Sequence, residues 1–598
     1  MDNNENINRI TLAERTKNYF SHNWRVCIYA LCGIGLCWVD LWRGIGNGAQ
    51  WALAVNCTGF CILPLIAFRL DWKVIIPSGI NERKWQKYLK ICFYAWVIMA
   101  VVMAYPLFKA FAPNTDYNAQ FVTAIINTAI YGAVAIRMYF YLFYEKKERE
   151  NTSRDNAKIT LLFWVWLSFI LLAIVSVNVA WWPLWFLVMF GSFYLAPVQR
   201  SDMEEIAEGL VTGMIIGFFW IQSRAFLYRP FDGEPRYRGH YTNENVNAMF
   251  YLFIYCAWLS KLTLYRIGGA KKRYIFTFFM ASSMWAFVFF TGCRSAMLGF
   301  LGVSVFYWIA ESKYFGRNRV VTFIKNGVLM LICFVISFMP VFWCIRYIPP
   351  LRHHPIWYGG EYAEYRVMAW DPIDSSKYVE LDEALDSILG RFNLTSVDQD
   401  LLQSDLQIKI SPFALASADG AVADLPETGD YSLPALLSDD GEEVYSYADG
   451  IVPGTDEKHP IFINDDFSDG LLKRIFRVRY YVYRYIIKNI HLLGNRDVST
   501  GTWVLSYFPV YHAHNTVLQM MYWFGPIPGM LFLVLLASGM IYSNKLIKRN
   551  IHFIGVFSGA FLTAYFIMGL TECVAFPGEM GMTLAFISII SSIRFLND

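Results

Sequence analysis

The chain has 598 residues, of which 56% are hydrophobic, 18% aromatic and only 17% charged. That is too apolar for the outside of one water-soluble core, so an ordinary soluble domain is excluded and a bilayer must supply part of the solvent. The formal net charge of +3 says little by itself; what matters is where the positive charges fall.

The first residues, MDNNENINRITLAERTKNYF, are polar and lack the short apolar core and small-residue cleavage site of a secretory signal, so the first span is expected to stay. Apolar stretches long enough to cross roughly 30 Å of hydrocarbon as helices then recur near 26–42, 51–68, 90–111, 119–143, 159–177, 181–197, 210–227, 246–262, 274–291, 294–310 and 325–346. Three more follow near 527–543, 552–570 and 578–594. The fold expected is an all-α polytopic membrane protein with about 14 transmembrane helices (12–14) and one large outward-facing loop. The eleven cysteines lie in or beside these spans and read as small buried hydrophobes, not as a disulfide framework.

Short cytoplasmic loops collect Lys and Arg. With the N-terminus inside, the loop from Arg69 to Lys90 carries six of them and EKKERENTSRDNAK carries five. Lys261, Arg266 and Lys271 to Arg273 fall on the same side, as do Lys313, Arg317, Arg319, Lys325, Lys545, Lys548 and Arg549. Both termini are then cytoplasmic. The short outward loops carry almost no Lys or Arg, the exceptions of interest being Arg229, Arg236 and Arg238 in one and Arg294 in another. A cation at a span end is more often a snorkelling anchor than a ligand.

Three segments result. Residues 1–346 read as a membrane domain of about eleven helices, 347–510 as a large extracytoplasmic loop, and 511–598 as a surface helix followed by about three final spans. Between 351 and 470 there are 25 Asp/Glu against 6 Lys/Arg, which predicts a loosely structured acidic insertion with one helix in VELDEALDSILG and no catalytic role. The composition then reverses in a basic amphipathic helix over about 471–490, where Lys473, Arg477, Arg484 and Lys488 share a face. Such a helix lies on anionic membrane lipids, or gathers an anionic lipid-linked substrate through residues such as Arg474 and Arg477.

Three local signals share the outward side. The first is the loop Arg236-Tyr-Arg-Gly-His-Tyr-Thr-Asn-Glu-Asn-Val-Asn247, dense in hydrogen-bonding groups. The second is Thr291-Gly-Cys-Arg-Ser-Ala296, which leaves Arg294 at the hydrocarbon edge, a costly place without an anionic partner or a headgroup. The third is Tyr511-His-Ala-His-Asn-Thr-Val-Leu518, followed by Gly525-Pro-Ile-Pro-Gly529. An unbroken helix over 515–543 would be about 44 Å long, too long for one upright span. The spacing therefore predicts a short surface helix from Asn515 and a separate span from Ile527. His514 sits at the start of that helix, beside free backbone N–H groups that suit an anion. His512 and His514 have no third metal ligand at sensible spacing, so no metal is expected. A neutral histidine beside basic residues suits a general base, and guanidinium groups suit a leaving pyrophosphate.

The order of these elements resembles the O-antigen ligase and O-antigen polymerase superfamily of membrane glycosyltransferases with the GT-C fold. The matching residues are Arg238, Gly239, Asn243 and Asn245 in the loop, Thr291, Arg294 and Ser295 in the hairpin, and His514, Asn515 and Leu518 in the helix, with Gly525 behind it. The resemblance spans roughly 205–595. It implies metal-independent transfer, without a cofactor, of a glycan from an undecaprenyl pyrophosphate-linked donor to an acceptor sugar hydroxyl, on a free glycan or a lipid-anchored one. The site is extracytoplasmic, on the bacterial cytoplasmic membrane. In that reading His514 draws the acceptor proton, with His512 as understudy, and Arg238 and Arg294 hold the pyrophosphate. Arg236 shares the loop pattern of Arg238, and Asn243, Asn245, Asn515 and Glu572 are further substrate contacts. No nucleic acid takes part. The rival class is a lipid-linked oligosaccharide flippase or other polysaccharide transporter, which would carry internal repeats and midplane polar residues. A third class is a structural component of an envelope polysaccharide machine.

Overall fold

In the computed structural model, residues 25–37, 161–178, 182–195, 200–228, 244–314, 318–348, 478–496, 512–574 and 580–594 are described, with short pieces between them. The expected spans at 51–68 and 90–111 lie outside the described residues, as does nearly all of 119–143. The described chain is almost entirely helical. The helices are α1 (Arg25–Cys37), α2 (Leu161–Ile174), α3 (Trp182–Leu195), α4 (Arg200–Tyr228), α5 (Glu244–Ile267), α6 (Lys271–Phe290), α7 (Arg294–Tyr314) and α8 (Arg319–Tyr347). After the acidic region come α9 (Val478–Lys488), α10 (Thr516–Phe524), α11 (Pro526–Lys548), α12 (His552–Gly569) and α13 (Met580–Arg594). One feature was not foreseen, a small sheet in which β1 (Ile461–Phe462) runs parallel to β2 (Trp503–Val504), and β2 pairs antiparallel with β3 (Phe508–Pro509).

Seven of these helices, α4 to α8, α11 and α12, are long and apolar enough to cross a membrane. Solvent preference is clearest on α8, which leaves Val320, Ile324, Val328, Leu331, Val335 and Ile336 exposed along its length. A water-soluble monomer rarely shows an apolar strip of that extent, and hydrocarbon removes its cost. At the other extreme α5 and α12 are almost wholly enclosed; α12 packs against α5, α7, α11 and α13 at the centre of the bundle.

Alternation of the helices gives the bundle two polar ends. One end gathers the Lys/Arg-rich termini of α5 to α8, α11 and α12. There Lys261 on α5 reaches Glu208 on α4 at 2.8 Å, and Arg266 on α5 pairs with the fully buried Glu311 on α7. His552, at the start of α12, stands 3.5 Å from the same carboxylate and stacks on Tyr314. The opposite end holds the 236–245 loop, the start of α7, the end of α12, and α9 and α10.

Close approach of α1 and α4 depends on glycines spaced four apart, Gly209, Gly213 and Gly217. A Cβ on Gly213 would stand 1.9 Å from the Ala30 carbonyl oxygen, a clash with main chain that no rotamer relieves. Gly213→Val should therefore cost on the order of 1–3 kcal/mol or more by overpacking, read as a lower melting temperature in detergent. Gly268→Ala, whose added carbon meets only the Leu264 oxygen at 3.4 Å, should leave it unchanged.

Candidate active site

The His-Asn segment folds as a capped helix start. Asn515 is the N-cap of α10, its side-chain oxygen accepting from Leu518 N at 2.9 Å, and its amide donates to the Leu570 carbonyl at 3.0 Å. The residue before it, His514, takes φ 46°, in the left-handed region that residues with a Cβ rarely occupy. That turn is clamped on both sides. Gln519, buried within α10, accepts from Ala513 N at 2.6 Å, and His512 Nδ1 accepts from His514 N at 3.2 Å. With Nδ1 used as an acceptor, the neutral His512 ring carries its proton on Nε2 and has no basic nitrogen left for a substrate.

Glu572 is the hub. Its Oε1 accepts from Asn245 Nδ2 at 3.0 Å and is paired with Arg479, while Oε2 stands 3.7 Å from His514 Nδ1. The segment bearing it is sewn to α10 by Thr516, whose hydroxyl donates to the Glu572 carbonyl at 3.2 Å and accepts from Val574 N at 2.9 Å. Thr571 meets Ser295, so the α7 start that carries the half-buried Arg294 adjoins the same segment.

Arg236 and Asn245, expected at the substrate, instead hold the site together. The buried Arg236 guanidinium donates through Nε to Thr291 O at 2.9 Å, through Nη1 to Glu244 at 3.2 Å and through Nη2 to Asn245 Oδ1 at 3.0 Å. With those donors committed, Arg236 is a strut between the hairpin and the start of α5. Asn515 is likewise committed as a cap. Arg238, Asn243, Arg474 and Arg477 lie outside the described residues. Below the strut, Gln222 donates to the Tyr237 hydroxyl at 3.0 Å and accepts from Tyr251 at 2.6 Å, fixing the loop in an apolar surround.

Of the insertion helix expected in VELDEALDSILG, Leu381, Leu385, Ile388 and Leu389 are described and helical. Ile388 is fully buried over the hairpin: a Cβ on Gly292 would meet Arg236 Nε at 3.3 Å and Ile388 Cγ1 at 3.7 Å. Part of the insertion thus roofs the Arg236 corner, a contact its acidic composition did not announce.

Helix α9 was foreseen as a basic amphipathic helix, with Arg474 and Arg477 as its substrate contacts. It buries Val482, Tyr485 and Ile486, and among its described residues Arg479 reaches the hub. One turn on, the Tyr483 hydroxyl lies 3.0 Å from the carbonyl oxygens of both His514 and Leu570. Burial pushes that phenol up to about 12, partly offset by Arg479 and reinforced by Glu572, so it stays a donor at neutral pH. Arg479, Tyr483, Thr516 and Gln519 were the functional residues missed. Charge periodicity marks the solvated face of a helix, and gives no sign of which arginine turns inward. Among the described residues no three His, Cys, Asp or Glu side chains gather as a metal site.

The chain was compared with protein-family models, with curated proteins and with solved structures, and none of them matches it.

Two glycines set α9 against α10. Gly525, at φ 101°, separates α10 from α11, and its Cβ would stand 2.1 Å from Leu492 O; one on Gly494 would stand 2.1 Å from Trp523 O. Asn495 completes the crossing, its backbone N donating to Tyr522 O at 2.8 Å. Gly525→Ala should strain the backbone by about 1–3 kcal/mol, shifting α9 from Glu572. The expected result is a lower melting temperature together with weaker protection of Arg479 from a guanidine-modifying reagent such as phenylglyoxal, read by mass spectrometry.

Proposed function

We propose that the chain is a membrane glycosyltransferase of the O-antigen ligase or polymerase type. It transfers or polymerises a glycan from an undecaprenyl pyrophosphate-linked donor onto an acceptor sugar hydroxyl, at the outer face of the bacterial cytoplasmic membrane. The observation that carries this reading is the meeting of His514, Glu572 and Arg479 at one bundle end, with Arg294 at the start of the helix beside them. The opposite end carries most of the Lys and Arg of the described spans, which supports its facing the cytoplasm. A GT-C-like fold with about fourteen spans and cytoplasmic termini belongs to the same proposal.

The chemistry follows from the donors and acceptors present. His514 turns Nδ1 toward a carboxylate, which leaves Nε2 to take the proton of the acceptor hydroxyl. The oxygen so activated bonds to the anomeric carbon as that carbon's bond to the pyrophosphate oxygen breaks. Undecaprenyl pyrophosphate departs with the electron pair. Guanidinium groups neutralise the charge that grows on it, since their planar fork matches phosphate oxygens. Arg294 and Arg238 are assigned that role, the latter by its place in the loop. The outward side of α9, with Arg484 and Lys488, suits anionic lipid headgroups.

The test is transfer by the purified protein from an undecaprenyl pyrophosphate-linked oligosaccharide to added acceptors, with and without chelator. Carrier release coupled to glycan transfer should fall by about 10²–10⁴-fold in His514→Ala, with membrane insertion intact. Arg294→Lys keeps the charge and loses the fork, so its rate should fall about tenfold or more; full activity would make Arg294 a snorkelling anchor. Movement of the intact donor across proteoliposomes without carrier release would contradict the proposal and favour a flippase.

A further inference from the structure

Among the described residues Glu572 is the carboxylate that stands between a cation and the proposed base. The hydrogen bonds that Arg479 and Asn245 donate to its side chain both end on Oε1. Its other oxygen, Oε2, is 3.7 Å from His514 Nδ1, beyond hydrogen-bond length by about 0.7 Å. The two partners sit on elements that are cross-tied. Tyr483, one turn beyond Arg479, holds the His514 carbonyl, and Thr516, two residues beyond His514, holds the Glu572 carbonyl. Neither His514 nor the Glu572 backbone needs to travel, so a change of partner requires only rotation of a carboxylate and withdrawal of a flexible guanidinium. The Arg479 side chain is 28% exposed, against 15% for Glu572, so it is the member of the pair that a ligand reaches first.

We infer that Glu572 exchanges partners during turnover: an arriving pyrophosphate draws Arg479 away, and Glu572 closes on His514 Nδ1. This rests on the proposed donor chemistry and deepens it. In the unliganded protein Arg479 neutralises Glu572 and the imidazole Nδ1 stands 3.7 Å from the carboxylate. A diphosphate offers the guanidinium a fork-matched anion of higher charge than a carboxylate. Released from Arg479, the carboxylate accepts the Nδ1 proton of His514, fixes the ring with Nε2 toward the acceptor, and makes that nitrogen more basic. The base is thereby armed only when the donor is in place, which keeps water from being activated beside an empty site. Arg479 is a positioning residue in this scheme until the donor binds, and a donor ligand afterwards.

Among the described residues the charged and titratable groups around His514 are His512 on its own loop, Arg479 and Tyr483 on α9, and Glu572. Behind Asn245 stand Arg236 and Glu244, whose mutual pair is retained in both arrangements. The carboxylate is therefore the group whose distance from the ring changes.

The experiment compares the acid limbs of kcat/KM and kcat, which report the free protein and the donor complex respectively. A carboxylate brought against an imidazole favours its protonated form. In the wild type the acid limb of kcat should therefore lie at higher pH than that of kcat/KM, by about one unit. Arg479→Ala should raise the kcat/KM limb to the kcat position, because Glu572 is then free to close without donor. Glu572→Gln should move both limbs to lower pH and remove the difference. Arg479→Lys, which keeps the cation, should retain a smaller difference and covers the case in which the alanine variant does not insert. A difference that persists in Glu572→Gln would come from the donor's own charge and would overturn the exchange, as would coincident limbs in the wild type. Undiminished transfer by His514→Ala would instead strike at the proposed reaction and not at the exchange.

Discussion

The carboxylate of Glu572 is the constraint on which the rest of this end depends. A carboxylate that is only 15% exposed is costly to bury unless hydrogen-bond donors and a cation come to it. Those partners lie far apart in the chain: Asn245 at the start of α5, Arg479 on α9 and His514 before α10. Satisfying one charge therefore fixes three elements relative to one another. The strut from Arg236 extends the same network to the hairpin, so that the start of α7 is placed by the same electrostatic need.

The far end of the bundle answers with a second set of buried charges. Glu311 is fully enclosed and is paired with Arg266, with His552 3.5 Å from the same carboxylate, while Lys261 is held by Glu208 and Thr212. Helices α7 and α12 reach from one set to the other. Between the two polar ends the packing is apolar and aromatic, as in the contacts of Phe186 with Phe190 and Phe586. Two charged ends with an apolar middle give the bundle a fixed register along its axis. That register presents His514 and Arg479 on either side of Glu572.

How much of this was legible depended on whether the signal was local. Hydropathy located α5 to α8, α11 and α12 to within several residues, because a long apolar run with basic flanks has few other readings. It located the end of α4 but not its start, which lies at Arg200 and not near 210. The break at Gly525 and the cap at Asn515 were also legible, since helix length against membrane thickness forbids an unbroken helix and Asn is a strong cap. The identity of the inward arginine on α9 was not. Arg474, Arg477 and Arg479 look alike in sequence, and the meeting of Arg479 with Glu572 depends on the close crossing of Gly494 with Gly525, which no local pattern announces. Arg236 shows a related ambiguity: a buried strut and an anion ligand use the same guanidinium, and sequence does not reveal which acceptors lie within reach. The roof supplied by Ile388 was hidden by its setting, a short apolar repeat inside a strongly acidic insertion.

The most direct test of the account is an electron cryomicroscopy reconstruction of the protein with an undecaprenyl pyrophosphate-linked oligosaccharide bound. The account predicts pyrophosphate density at the Glu572 end, within hydrogen-bond distance of Arg479 and Arg294, with the first sugar beside His514. Density for the pyrophosphate at the opposite end, among Lys261, Arg266 and Glu311, or midway along the bundle, would contradict it.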